Sequence, residues 1–105
     1  SGSTTLLILS LLEEKDMYGY EMIDTLKGKS NNVFKLKAGA LYPLLHSMEE
    51  KGWLTVYEQE TGGKMRKYYR ITRDGKKQYQ AKKKEWKEYS EAILQVIGGV
   101  CFGTA

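Results

Sequence analysis

Residues able to grip a phosphate are gathered in one part of the chain. Eleven of the seventeen Lys and Arg fall within residues 64–87, opposed only by Asp74 and Glu85, so this stretch carries +9 on a chain of net charge +4. Such a block is the electrostatic footprint of a polyanion binder, or else the solvated face of a helix, and charge alone leaves both open. Part of it lies on a turn, Thr61-Gly62-Gly63-Lys64-Met65-Arg66-Lys67. A Gly pair between alternating apolar runs predicts a tight hairpin, because such turns need positive φ. A hairpin needs no charge to form. Cations at Lys64, Arg66 and Lys67, with Tyr68 and Arg70 on the outward side, suit phosphate contacts or an Arg reaching into a minor groove. A second group, Lys35, Lys37, Ala38, Gly39, Ala40 and Tyr42, stands where a helix is expected to begin. Small residues there allow close approach to a backbone, and free N–H groups at a helix start favour phosphate. Lys37 adds charge, Tyr42 adds a hydroxyl, and the alternative is an ordinary exposed helix start.

The rest of the reactive inventory points away from catalysis. His46 is the single histidine and has no cysteine near it in sequence, whereas a metal site needs several convergent ligands. It reads as a helix residue able to touch a nucleic acid. Cys101 has no His or acid at nucleophile-like spacing, and Glu13-Glu14 and Glu49-Glu50 read as helix-surface pairs. Gly62-Gly63-Lys64 is followed by Met65 and lacks the earlier Gly and the Ser or Thr of a phosphate loop. No enzyme, metal or cofactor is implied. The lone cysteine suits a reducing, cytoplasmic setting. The apolar run over 4–12 is too short to span a membrane and runs into Glu13-Glu14.

These residues need elements to hold them. Thr4 or Thr5 can cap a first helix to about Glu14, apolar on nearly every side, as in a helix buried on several faces. Ser1-Gly2-Ser3 lacks a Met and reads as a leader outside the fold, with part of the natural N-terminus missing. After Lys15-Asp16, a second helix is expected from about Tyr18 to Lys27, with Tyr20 and Ile23 on its apolar stripe alongside Met22 and Leu26, and Gly28 as its C-terminal cap. Val33, Phe34 and Leu36 suggest a very short strand. A third helix from about Ala38 to Lys51 buries Leu41, Leu44, Leu45 and Met48 and ends at Gly52. Strands over 53–60 and 66–72 flank the Gly pair. Thr72 caps a last helix from Arg73 to about Ile97. The order is mainly α with a β-hairpin wing: a winged helix-turn-helix over residues 4–72 and a long C-terminal dimerisation helix over residues 73–97. In that architecture the third helix enters the major groove by its N-terminal end.

Along the last helix, Tyr79, Trp86, Tyr89, Ile93, Val96 and Val100 fall at heptad a/d steps, with Lys82 in the one missing position. Such a seam packs against another helix. The available partners are the first helix, through Leu6, Leu7 or Leu9, and a second copy, so a two-fold homodimer is expected. Paired recognition helices then imply a roughly palindromic operator in double-stranded DNA.

Three strings give this layout a family likeness: YGYEM (18–22), ALYPLLHSMEEKGWL (40–54) and TGGKMRKYYRIT (61–72). The chain resembles the PadR family of bacterial regulators over roughly residues 5–97, in its smaller subgroup with a single C-terminal helix. Two departures stand out: Met65 replaces a basic or polar wing residue, and the leader is short and neutral. The resemblance implies a homodimer that represses transcription and releases DNA when an effector binds. It also implies, from drug-sensing members, a central dimer pore lined by aromatic residues of the last helix. Two copies of Trp86, with Tyr89 and Ile93 beside them, would then hold a flat aromatic effector; the plain alternative is that Trp86 is interface packing. A multidrug-sensing module built on that pore is the second functional expectation.

Overall fold

The computed structural model describes residues 2–98 and contains α1 (Gly2–Glu14), β1 (Met17–Tyr18), α2 (Gly19–Lys29), α3 (Ala38–Glu50), β2 (Leu54–Thr61), β3 (Lys64–Ile71) and α4 (Arg73–Val96). Apolar residues lie all round α1 because it runs through the middle of the fold. Ile8, Leu9, Leu11 and Leu12 are buried with Met22 and Leu26 of α2 and with Leu41, Leu45 and Met48 of α3. Leu44 is half-buried at the rim, so the expected α3 stripe is present. Among the described residues no helix is long and apolar enough to cross a membrane.

The sheet closes the other side of the core. Its antiparallel order is β1-β3-β2. The Thr61–Lys64 pair closes a two-residue turn at Gly62 and Gly63, whose φ values of +61° and +80° are those the primed hairpin turns require. Side chains alternate across β3: Tyr69 and Ile71 face the core with Met17 and Leu54, while Arg66, Tyr68 and Arg70 lie on the opposite, outer face. The turn from hairpin to α4 is tightly made. The Thr72 hydroxyl donates to the Gly52 carbonyl at 2.7 Å and accepts the Gly75 N–H at 3.0 Å, so Thr72 is the cap its type suggests. Gly75 is lodged against the Trp53 carbonyl and the Ile71 side chain, where a Cβ has no room. The Lys51 and Lys82 ammonium groups lie 4.8 and 5.7 Å from the centre of the Trp53 ring. Lys82 interrupts the heptad because this part of α4 packs on its own domain.

Several expectations are corrected. Gly2 and Ser3 form the first turn of α1, so the helix begins ahead of Thr4 and Thr5. Met17-Tyr18 pairs with β3 as a third strand, delaying α2 to Gly19, and α2 runs through Gly28 to Lys29. Its buried face follows Gly19, Met22 and Leu26, which leaves Tyr20 59% exposed and Ile23 half-buried. Val33, Phe34 and Leu36 make no strand, and Val33 and Phe34 are exposed rather than packed on the core. Gly99, Val100 and Cys101 lie outside the described residues. Three helices closed by a hairpin, followed by a long helix, form a winged helix-turn-helix.

Candidate nucleic-acid interface

The start of α2, one turn of α3 and the wing meet at a notch of about 230 Å³ lined by Tyr18, Gly19, Tyr20, Tyr42, Met65, Arg66 and Lys67. Gly19 makes it possible. The Tyr42 ring of α3 lies directly over Gly19, where any Cβ would run into the ring, and it meets Tyr20 edge-on at 6.5 Å. From the wing side, the Arg66 guanidinium stacks 4.4 Å from the Tyr18 ring centre and its Nε donates to the Thr61 carbonyl at 3.4 Å. That stacking holds the cation in place while leaving N–H groups free to face a ligand. Burial pushes the Tyr42 hydroxyl above its ordinary pKa. Two cations, phenol hydroxyls and the first turn of a helix form a seat suited to a phosphate. Glu21 stands in the same first turn, but its carboxylate is neutralised by Lys15 at 2.8 Å, a pairing that raises the Lys15 pKa.

The sequence-derived residues divide as follows. Tyr42, Arg66 and Lys67 come together in the notch. Lys35, Lys37 and Gly39 are exposed around the start of α3 and Ala38 is half-buried. Lys37 is the N-cap and gives no side-chain cap, and a Cβ on Gly39 would meet nothing within 4 Å. This helix end is therefore open to close approach. His46 is exposed one turn beyond Tyr42, and Lys64 stands exposed at the wing tip. Tyr68 is committed within the wing, its hydroxyl sharing a 2.7 Å hydrogen bond with that of Thr61. Met65, the departure in the wing, supplies apolar wall to the notch. Tyr18, Gly19 and Tyr20 were missed as site residues. The adjacent Tyr-Gly-Tyr at a helix start was the available signal, since a Gly between aromatic residues leaves room for a third ring.

The other sequence-derived cluster lies on α4. A groove of about 500 Å³ between α1 and α4 is lined by Ser3, Leu6, Lys82, Glu85, Trp86 and Tyr89. The Trp86 and Tyr89 rings are 5.8 Å apart, and Trp86 is 50% and Tyr89 60% exposed. Ile93 continues the seam into a shallower hollow of about 360 Å³ with Tyr89, Ala92, Val96 and Ile97. Leu6 faces this groove, whereas Leu9 is sealed in the core. A continuous apolar strip of this kind on a surface marks an interaction site.

Residues 8–81 match the Transcriptional regulator PadR-like family. The chain is 40% identical over 101 residues to uncharacterized protein X of Lysinibacillus sphaericus, covering 94% of this chain and 92% of that protein. Among solved structures it is similar to a transcriptional regulator from Clostridium thermocellum, with TM-score 0.83 and 36% identity over 90% of this chain and 92% of that one. It is also similar to a PadR family transcription regulator from Clostridium difficile, with TM-score 0.76 and 36% identity over 89% and 96% of the two chains.

Gly19→Ala should cost about 1–3 kcal/mol of stability in urea unfolding, the usual penalty of overpacking. In a Tyr42→Ala background the same methyl should cost much less. Equal penalties in both backgrounds would mean that Tyr42 does not lie over Gly19.

Proposed function

The chain belongs to the PadR-like family of transcriptional regulators, and on that premise we propose that it is a ligand-responsive repressor acting as a homodimer on a roughly palindromic operator. The notch carries the reading: it gathers Tyr42 of the recognition helix with Arg66 and Lys67 of the wing around one open space of about 230 Å³. The open start of α3, with Lys35, Lys37, Ala38 and Gly39, enters the major groove, and Tyr42 and His46 follow it along the helix. The notch takes a backbone phosphate on one side, and Lys64 at the wing tip reaches a further one. Residues 4–72 do this work, and residues 73–97, which hold α4, join two copies through Trp86, Tyr89, Ile93 and Val96. Burial of that seam offsets the exposure of large apolar side chains on a small domain. A two-fold pairing sets the recognition helices about one DNA turn apart, ~34 Å.

Effector binding belongs to the α1–α4 groove. Trp86 and Tyr89 offer aromatic faces, and Glu85 offers a carboxylate to any positive charge on a planar compound. A ligand wedged there, against the dimer helix, changes the separation of the two recognition helices and with it the affinity for the operator. The same groove supports the second reading, a multidrug-sensing module whose main property is this aromatic site.

Lys37→Ala, Arg66→Ala and Lys67→Ala should each weaken operator binding and lower the salt dependence, by about 0.9 in the log–log slope for each phosphate no longer neutralised. Fluorescence anisotropy across a salt series reads both, and unchanged binding by all three variants would refute this docking. Planar aromatic compounds should quench tryptophan fluorescence strongly in the wild type and scarcely in Trp86→Ala, where Trp53 alone reports. Equal quenching in the two proteins, or none in either, would place the effector elsewhere and leave Trp86 to packing.

A further inference from the structure

The outer face of the sheet carries an unbroken row of side chains between the body of the domain and the wing. Tyr18, Tyr68 and Tyr57 are direct cross-strand neighbours on three adjacent strands. Tyr18 meets Tyr68 edge-on at 5.5 Å, and Tyr68 stacks on Tyr57 at 5.7 Å with their planes 17° apart. A guanidinium covers each end of the row: Arg66 lies 4.4 Å from the centre of Tyr18, and Arg70 lies 5.0 Å from that of Tyr57. One residue outside the hairpin ties the row down. Asp16, in the turn between α1 and β1, accepts the Tyr57 hydroxyl at 2.7 Å and two nitrogens of Arg70 at 3.0 Å each, all on the same carboxylate oxygen. The bond to Asp16 raises the Tyr57 pKa, as expected when a phenol proton is held by a carboxylate.

We propose that Asp16 is a positioning residue for DNA binding: by holding Tyr57 and Arg70 at the root of the hairpin, it sets the pitch of the wing and so places Arg66 and Lys67 against the phosphate. The proposal rests on the DNA-binding reading above. The side chain of Asp16 is 25% exposed and that of Arg70 61% exposed. A pair this accessible is worth little as stability. What it does fix is geometry. Beyond Tyr68 the hairpin is a two-stranded ribbon, which twists readily, and Lys67 and Arg66 lie three and four residues out from Arg70, so a rotation at the root is carried out to them. All three bonds fall on one oxygen, so an Asn at this position would keep an acceptor but remove the charge that pairs with Arg70.

The sign of the effect separates positioning from electrostatics. Removing a negative charge from a DNA-binding domain should, by charge alone, tighten binding or leave it unchanged. Asp16→Asn is expected instead to weaken operator binding roughly threefold to tenfold, with an unchanged melting temperature and a shallower salt slope as the wing lets go of its phosphates. Hydroxyl-radical footprints should lose the wing-side protections and keep those of the recognition helix. Tyr57→Phe, which keeps the ring stacking and removes one bond to Asp16, should show the same pattern more weakly; it remains informative if Asp16→Asn fails to fold. Binding as tight as wild type or tighter in a folded Asp16→Asn, with a complete footprint, would overturn the proposal. Failure of the wild-type protein itself to bind DNA would instead overturn the functional reading beneath it.

Discussion

Strand β3 has to serve two surfaces at once. It is hydrogen-bonded on one side to β1 and on the other to β2, and its side chains alternate between the two faces of the sheet without freedom to choose. Tyr69 and Ile71 close the hydrophobic core from within, while Arg66, Tyr68 and Arg70 line the outer face. A slip of one residue would turn Tyr68 and Arg70 into the core and Tyr69 and Ile71 out to water. The Gly62-Gly63 turn, which pairs Thr61 with Lys64, prevents that slip from one end, and the Met17–Tyr69 pair pins the other. The cationic wing is therefore set in register by the same pairings that stabilise the domain.

The remaining architecture divides packing from recognition. Leucines and methionines of α1, α2 and α3 fill the interior. The candidate recognition residues sit on the rims of these same elements, where Gly19 lets Tyr42 lie close to α2 and where Lys37 leaves the start of α3 without a side-chain cap. The final helix has a double nature. Its first turns belong to the domain, through Gly75 beneath Trp53 and Lys82 on the Trp53 ring. Its later turns carry Trp86, Tyr89, Ile93 and Val96 outward, away from the core.

Much of this was legible because local chemistry specifies it. The Gly pair demands a primed turn, Thr72 three residues before Gly75 makes a cap, and leucines three and four apart make the α3 stripe. Missed features depend on residues far apart in the chain. Met17-Tyr18 becomes a strand because β3, some fifty residues later, offers an edge. Gly19 faces inward beneath Tyr42 of α3, some twenty residues later, so the buried face of α2 runs through Gly19, Met22 and Leu26 and Tyr20 lies outside it. Asp16 stands between two expected helices with nothing beside it to mark its partners, and only the fold brings Tyr57 and Arg70 to it. The candidate residues of the wing and of α3 were readable as types; their meeting with Tyr18 and Tyr20 was not, since that requires the angle between hairpin and helix.

The central claim is that this domain reads a particular DNA sequence through α3 while the wing and notch hold the backbone. The most direct measurement is binding of the purified protein to the duplex upstream of its own gene, beside a random duplex of equal length, at two salt concentrations. The account predicts preference for the upstream duplex at both salts, with affinity for each duplex falling steeply as salt rises. Equal and weak binding to the two duplexes would contradict it and shift the function to the aromatic groove of α4.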